Sequence, residues 1–197
     1  MNFYKYFHSL PEIETNNLLL RQITNSESDG RDSLEFINDY SVSRFWGIDD
    51  EKRNRENNRL IKKIRKDFHY HETMKEYKAG NELAWLMQLK DNNKVIGEII
   101  LYDFLLEKQA DMGYRLNKNY WGKGYATEAG HAIVGFAFDT LKLDRLQIRC
   151  FRNNPASVRV AQKLGFKQEG LIRNGAILDV MTDYYIMGLL RDEYERI

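Results

Sequence analysis

From Ala110 to Leu190 the apolar residues switch repeatedly between a period of two and a helical period, reading strand, helix, strand, helix, strand. That succession excludes all-helical and all-strand folds. The first strand is Ala110 to Leu116, and the helix from Gly124 to about Leu141 carries Ala126, Ala129, Ile133, Ala137 and Leu141 on one face. A second strand, Leu146 to Phe151, leads to a helix opened by Asn154 and Pro155, a capping residue followed by proline at the first helical position. Gly165 closes that helix. Strand returns at Phe166 and again from Tyr184 to Leu190. Upstream, Leu83 to Leu89 and Val95 to Tyr102 flank the turn Lys90 to Lys94 as a hairpin, and Leu18 to Ile23 is an earlier strand followed, after a polar turn that contains Gly30, by a short helix from Asp32 to Tyr40. Hairpins followed by crossovers predict an α/β fold, a mixed sheet covered by helices on both faces.

The length of 197 residues fits a single domain over 1–197 with a core that needs no disulfide or metal. A net charge of +1 gives no global attraction to nucleic acid or to an anionic membrane. The single cysteine, Cys150, lies in an alternating strand and is expected as a small buried apolar residue. Met1 to Leu20 has no signal-peptide apolar region and no apolar run reaches membrane-spanning length, so a cytoplasmic enzyme is expected. From Asp49 to Glu76, Leu60, Ile61, Ile64 and Phe68 recur at helical spacing among charged residues such as Lys52, Arg53, Arg55 and Arg59, which reads as a surface helix with a solvated basic face. Within it His69 and His71 straddle Tyr70 beside Glu72. No third and fourth spaced ligands accompany them, so surface histidines and no metal are expected.

The octet Trp121-Gly122-Lys123-Gly124-Tyr125-Ala126-Thr127-Glu128 sits where strand gives way to the long helix. Two glycines admit a ligand close to the backbone, the first helical amides have no internal partner, and the helix dipole favours an anion there. Lys123 adds a cation. A glycine turn before a helix also occurs as plain structure, so the octet alone leaves both readings open. The chain has no G-x-x-x-x-G-K-[ST], and Gly122-Lys123-Gly124 lacks the third glycine of the dinucleotide fingerprint, which removes the two common nucleotide readings.

With Asn119 to Ala129, then Asn153-Asn154-Pro155-Ala156-Ser157, Lys163-Leu164-Gly165-Phe166 and Glu169-Gly170, the chain resembles the GNAT N-acetyltransferases, and most of all their ribosomal-protein N-terminal acetyltransferase branch. The resemblance implies a mixed, mostly antiparallel sheet of about seven strands, splayed at the cofactor site. It implies acetyl-CoA as cosubstrate, with its pyrophosphate at Trp121, Gly122, Lys123, Gly124, Tyr125, Ala126 and Thr127 and its pantetheine arm along Tyr114, Arg115, Leu116 and Asn117. Asn154 is expected to bond that arm and Ser157 to lie near the thioester sulfur. Many members place a tyrosine acid where this chain has Ala161, so Ser157 is the candidate acid; a helix-start hydroxyl bonded to local backbone is its alternative.

The implied reaction is attack of a neutral primary amine on the thioester. An α-amine titrates near ~8 and a lysine-like amine near ~10, so a base matters more for the second; a thiol near ~8.5 leaves with weak assistance. Glu98, which interrupts the apolar run Val95 to Leu101, is the first candidate base, on the expectation that burial raises its pKa. Asp111 is the second and Asp183 the third; a water relay without a dedicated base is the alternative. A protein N-terminus is the first acceptor, a small polyamine or antibiotic amine the second, and a non-catalytic CoA-binding module the other class. Phe45 and Trp46 are expected in the core or beside the acceptor. No direct nucleic-acid or membrane partner is expected, and a homodimer is left open.

Overall fold

The computed structural model describes residues 3–46, 61–177 and 180–195. Among them eight strands form one sheet: β1 (Ile13–Glu14), β2 (Leu18–Arg21), β3 (Glu82–Leu89), β4 (Val95–Leu105), β5 (Gln109–Leu116), β6 (Arg145–Phe151), β7 (Lys167–Ile177) and β8 (Met181–Leu190). The spatial order is β1-β2-β3-β4-β5-β6-β8-β7. All neighbours run antiparallel except β5 and β6, which are parallel. The strand beyond the expected seven is β1, a two-residue edge piece pairing Ile13 with Leu20 and Glu14 with Leu19. Two residues carry no readable period.

The helices are α1 (Glu27–Ile37), α2 (Tyr40–Ser43), α3 (Ile61–Lys78), α4 (Tyr125–Gly135), α5 (Pro155–Lys163) and α6 (Arg191–Tyr194). α1 starts five residues before the expected Asp32, because Ser26 caps it by accepting Asp29 N at 3.2 Å and Gly30 lies inside the helix instead of in a turn. It also ends earlier, at Ile37, and Asp39 caps the separate α2 by accepting Ser41 N. The charged helix is present as Ile61–Lys78; its expected beginning at Asp49, with Lys52, Arg53, Arg55, Arg59 and Leu60, lies outside the described residues.

Alternation along the strands divides the core between two faces. Trp85, Met87, Ile99, Leu101 and Met112 share one buried cluster with Ala129 and Ile133 of α4 and with Ala137 and Phe138 just beyond it. On the other face Leu86 and Val95 meet Ile23, Phe36 of α1 and Val42 of α2. Each large apolar side chain buried this way contributes about 1.5–3 kcal/mol, so α4 and α1 are held to opposite faces by burial. All five residues of the expected α4 stripe are buried, although the helix widens to a π turn over Phe136–Thr140, closed by Leu141 N on Phe136 O at 3.0 Å. The β3–β4 hairpin closes with Leu89 N on Lys94 O at 2.8 Å, and Asn93 takes the left-handed conformation (φ 60°) that asparagine tolerates.

Candidate active site

The parallel pair β5–β6 is short. It matches Gln109 with Arg145, Ala110 with Leu146 and Asp111 with Gln147, and pairs nothing further. β5 continues to Leu116 and β6 to Phe151, so the sheet divides beyond Asp111 and leaves an edge on each side. β5 keeps its other neighbour throughout this stretch, from Asp111 opposite Tyr102 to Leu116 opposite Gly97. At the far end of β5, Trp121 donates its indole N–H to Leu116 O at 2.7 Å, and Asn117 caps a single turn by accepting Asn119 N. The Asn117 amide also donates to Glu35 at 3.0 Å.

The expected anion loop follows. Gly122 and Gly124 have φ of 76° and 91°, a region that β-carbon-bearing residues occupy with strain. A Cβ on either would meet nothing within 4 Å, so the loop faces open space and its glycines are required by backbone conformation. The first intrahelical bond of α4 runs from Glu128 N to Gly124 O at 2.9 Å, and the amides of Tyr125, Ala126 and Thr127 precede it. Gly124 caps the helix without any side-chain bond. Lys123 Nζ lies 5.0 Å from the Tyr120 ring centre. Glu128 serves structure: it accepts Asn17 N at 2.6 Å and Thr15 Oγ1 at 2.5 Å, tying α4 to the approach of β2.

A cavity of about 1080 Å³ runs from this loop through the divided sheet to the face covered by α1, α2 and α3. Tyr114, Arg115, Leu116, Trp121, Gly122, Ala126, Asn154 and Ser157 line it, so eight of the expected cosubstrate contacts meet on one surface. Phe45 and Trp46 line it as well and are only partly buried, which places them on a wall of the cavity outside the two core clusters.

The carboxylates sort by their partners. Glu98 is buried, with Arg115 Nε 2.7 Å and His69 Nε2 2.8 Å from its oxygens. Burial pushes its pKa up, but Arg115 and His69 outweigh that and hold the carboxyl at about 2. The expectation of a raised pKa is therefore corrected, because burial arrives with Arg115 and His69 against the carboxylate. Arg115 is itself sandwiched, 4.6 Å from the Trp46 ring and 5.5 Å from Phe36. His69, expected as a surface histidine, has a side chain only 12% exposed.

Asp111 is buried against Arg149 Nη2 at 2.9 Å and Gln147 Nε2 at 3.2 Å; burial raises its pKa against the pull of Arg149. Its own side chain is not part of the cavity wall, whereas Arg149 is. Asp183 accepts Asn174 N at 2.9 Å and Arg152 Nη1 at 3.1 Å, which lower its pKa. Glu82, absent from the sequence expectations, opens β3 opposite Tyr102 and lines the same cavity. Burial first, then the charges of Glu98 and Glu76, push its carboxyl up to about 7 against the opposing pull of Arg115.

Asn154 caps α5 with its side-chain oxygen on Ser157 N at 3.3 Å, leaving the carboxamide nitrogen for other bonds. The Ser157 hydroxyl is 3.4 Å from Cys150 Sγ and also hydrogen-bonds Tyr114. Burial raises Cys150 to about 11 and Tyr114 still further, so neither ionises near neutrality. Cys150 is fully buried, as its apolar reading requires, and Ala161 is fully buried too. Among the described residues no group of three or more His, Cys, Asp or Glu is arranged to hold a metal.

Residues 17–167 match the acetyltransferase (GNAT) domain family. The chain belongs to the GNAT acetyltransferases. This acetyltransferase is 29% identical over 164 residues to YoaA, an uncharacterized N-acetyltransferase of Bacillus subtilis (strain 168), covering 83% of this chain and 86% of that one. Other Bacillus N-acetyltransferases align over about half of their own length. In fold it resembles a GNAT-family acetyltransferase from Bacillus anthracis, with TM-score 0.76 and 22% identity over 93% of this chain and all of that one. It also resembles a proposed ribosomal-protein-serine acetyltransferase from Vibrio cholerae, with TM-score 0.72 and 20% identity over 92% of this chain and 98% of that one. The acetyltransferase has an open, mostly antiparallel sheet and no helix, among the described residues, long and apolar enough to cross a membrane.

Proposed function

We propose that this acetyltransferase binds acetyl-CoA across the divided sheet and passes the acetyl group to the α-amine of a protein N-terminus. The observation that carries the reading is the continuity of one cavity from the glycine loop, past Tyr114 and Ser157, to the wall formed by Phe45, Trp46 and Glu82. The loop amides and Lys123 suit the pyrophosphate. The unpaired edges of β5 and β6 suit an arm rich in amides, and Asn154 adds a donor. Holding amine and thioester in one enclosed space supplies much of the acceleration.

Ser157 is the group we assign to the departing sulfur. Ser157 is partly buried and lines the cavity while its neighbours Cys150 and Tyr114 stay protonated, so any of the three can donate a hydrogen bond but none begins as an anion.

A small polyamine is the second reading, favoured by a specific observation: Glu72, Glu76 and Glu82 gather at one end of the cavity. The experiment is release of CoA thiol from acetyl-CoA with a panel of free-N-terminal peptides, polyamines and aminoglycosides. Transfer to peptides supports the first reading, and transfer confined to polyamines the second. CoA binding with no transfer to any amine would leave a binding module in place of an enzyme.

A further inference from the structure

The carboxylates of the cavity are unequal in one respect. Glu98 is held by Arg115 and His69, and Glu76 accepts Asn81 Nδ2 at 2.7 Å. Glu72 also has a partner. Among the described residues Glu82 is the cavity carboxylate with neither an ion pair nor a hydrogen bond. A carboxylate that is partly buried and left without a donor is costly unless a ligand completes it.

Its position suits an incoming amine. Glu82, Tyr102, Asp111 and Gln147 stand side by side across β3, β4, β5 and β6, in the last row before the sheet divides. Glu82 is two strand spacings from β5, roughly 10 Å, a span that its side chain and a bridging water cover. We infer that Glu82 is the base that takes the proton from the acceptor ammonium; the inference rests on the transferase reading above.

The groups facing it set its behaviour. Glu76, Glu72 and His69 come from α3, Glu98 and Tyr102 from β4, and Arg115 from β5. Burial first, then the charges of Glu98 and Glu76 against the pull of Arg115, leave Glu82 with a proton affinity close to neutrality, where a base is most effective. In the step, the Glu82 carboxylate accepts one proton from R–NH₃⁺, directly or through the water. The freed nitrogen lone pair forms the N–C bond at the thioester carbon. The C–S bond then breaks with its electron pair on sulfur, and the second nitrogen proton passes to the CoA thiolate. Glu82 returns its proton to solvent, so one proton is released per turnover.

The test is the pH profile of kcat/KM for the unaltered protein and for Glu82→Gln, with acetyl-CoA affinity measured by calorimetry. The unaltered protein should show an acidic limb near pH 7. Glu82→Gln should lose that limb and fall ~10²–10⁴-fold at pH 7, with acetyl-CoA affinity unchanged. The loss should shrink for an acceptor amine of low pKa, which arrives neutral. A limb still centred near pH 7 in Glu82→Gln with an acceptor whose own pKa lies well above that, or an equal loss for amines of every pKa, overturns the inference while leaving the transferase reading intact. Unaltered protein that transfers to no amine overturns that reading itself. A carboxyl ¹³C titration of Glu82 needs no turnover, and a midpoint in the ordinary glutamate range would also overturn the assignment.

Discussion

Glu98 and Arg115 are register partners on β4 and β5, with Arg115 Nε 2.7 Å from Glu98 Oε1. The contact explains why the charge that interrupts the apolar run is tolerated. It also determines what removing it does. Glu98→Gln should destabilise by about 3 kcal/mol, since it leaves Arg115 buried without its partner, and lower the melting midpoint by roughly 6–12 °C. Because the folded pKa lies below the ordinary 4.5, this stabilisation is present above pH 4.5 and fades as pH falls toward about 2. In kinetics, losing a negative neighbour should move the acidic limb downward, since Glu98 is one of the charges that raises Glu82. Outright loss of the limb would make Glu98 the base after all.

Gly124 sits at φ 91° with open space where a side chain would go. Gly124→Ala should cost about 1–2 kcal/mol of stability through backbone strain and weaken acetyl-CoA modestly. Gly124→Glu adds a negative charge beside the proposed pyrophosphate site and should lose at least roughly a hundredfold more affinity. Calorimetry of the two variants checks this; equal affinities would remove the phosphate from the loop.

Ser157 contributes its backbone N–H to the α5 cap, whereas its hydroxyl reaches Cys150 and Tyr114. Ser157→Ala therefore keeps the cap. If the hydroxyl assists the leaving sulfur, turnover should fall about tenfold or more at unchanged acetyl-CoA affinity. An unchanged rate would return the hydroxyl to local structure.

Asp29 joins β2 to α1, with Arg21 Nη2 at 2.6 Å and Thr24 N at 2.8 Å from its oxygens. Burial works against the charge, yet Arg21 and Thr24 hold the pKa below 3.8. The stabilisation is present above pH ~4 and lost as pH falls through the folded value. Asp29→Asn should cost about 3 kcal/mol at neutral pH and much less in acid, measured by denaturant titration at several pH values.

Much of the fold could be read from periodicity because seven strands are long enough to show it, and the stripe along α4 and the π turn after it repeats over five buried positions. The missed pieces were local exceptions. Gly30 resembles a turn residue but lies inside α1, and β1 is too short to alternate. The glycine loop was legible because its chemistry is carried by consecutive residues. The acidic end of the cavity was not, since Glu82, Glu98 and His69 are brought together only by pairing β3 with β4 and by packing α3 over them. Glu98 could be recognised as a buried charge from its neighbours in sequence. The sign of its pKa shift depended on Arg115 and His69, which are distant along the chain.

Three residue pairs are all that join β5 to β6. Mechanically the molecule is a book whose leaves are β1–β5 and β6–β8 and whose spine runs over Gln109–Asp111, with α4 and α5 as its binding. A molecule lying between the leaves would bond to both, so its affinity and the protein's resistance to opening become one quantity. Saturating acetyl-CoA should accordingly slow amide exchange along Met112 to Leu116 and Ile148 to Phe151 far more than in the β3–β4 hairpin.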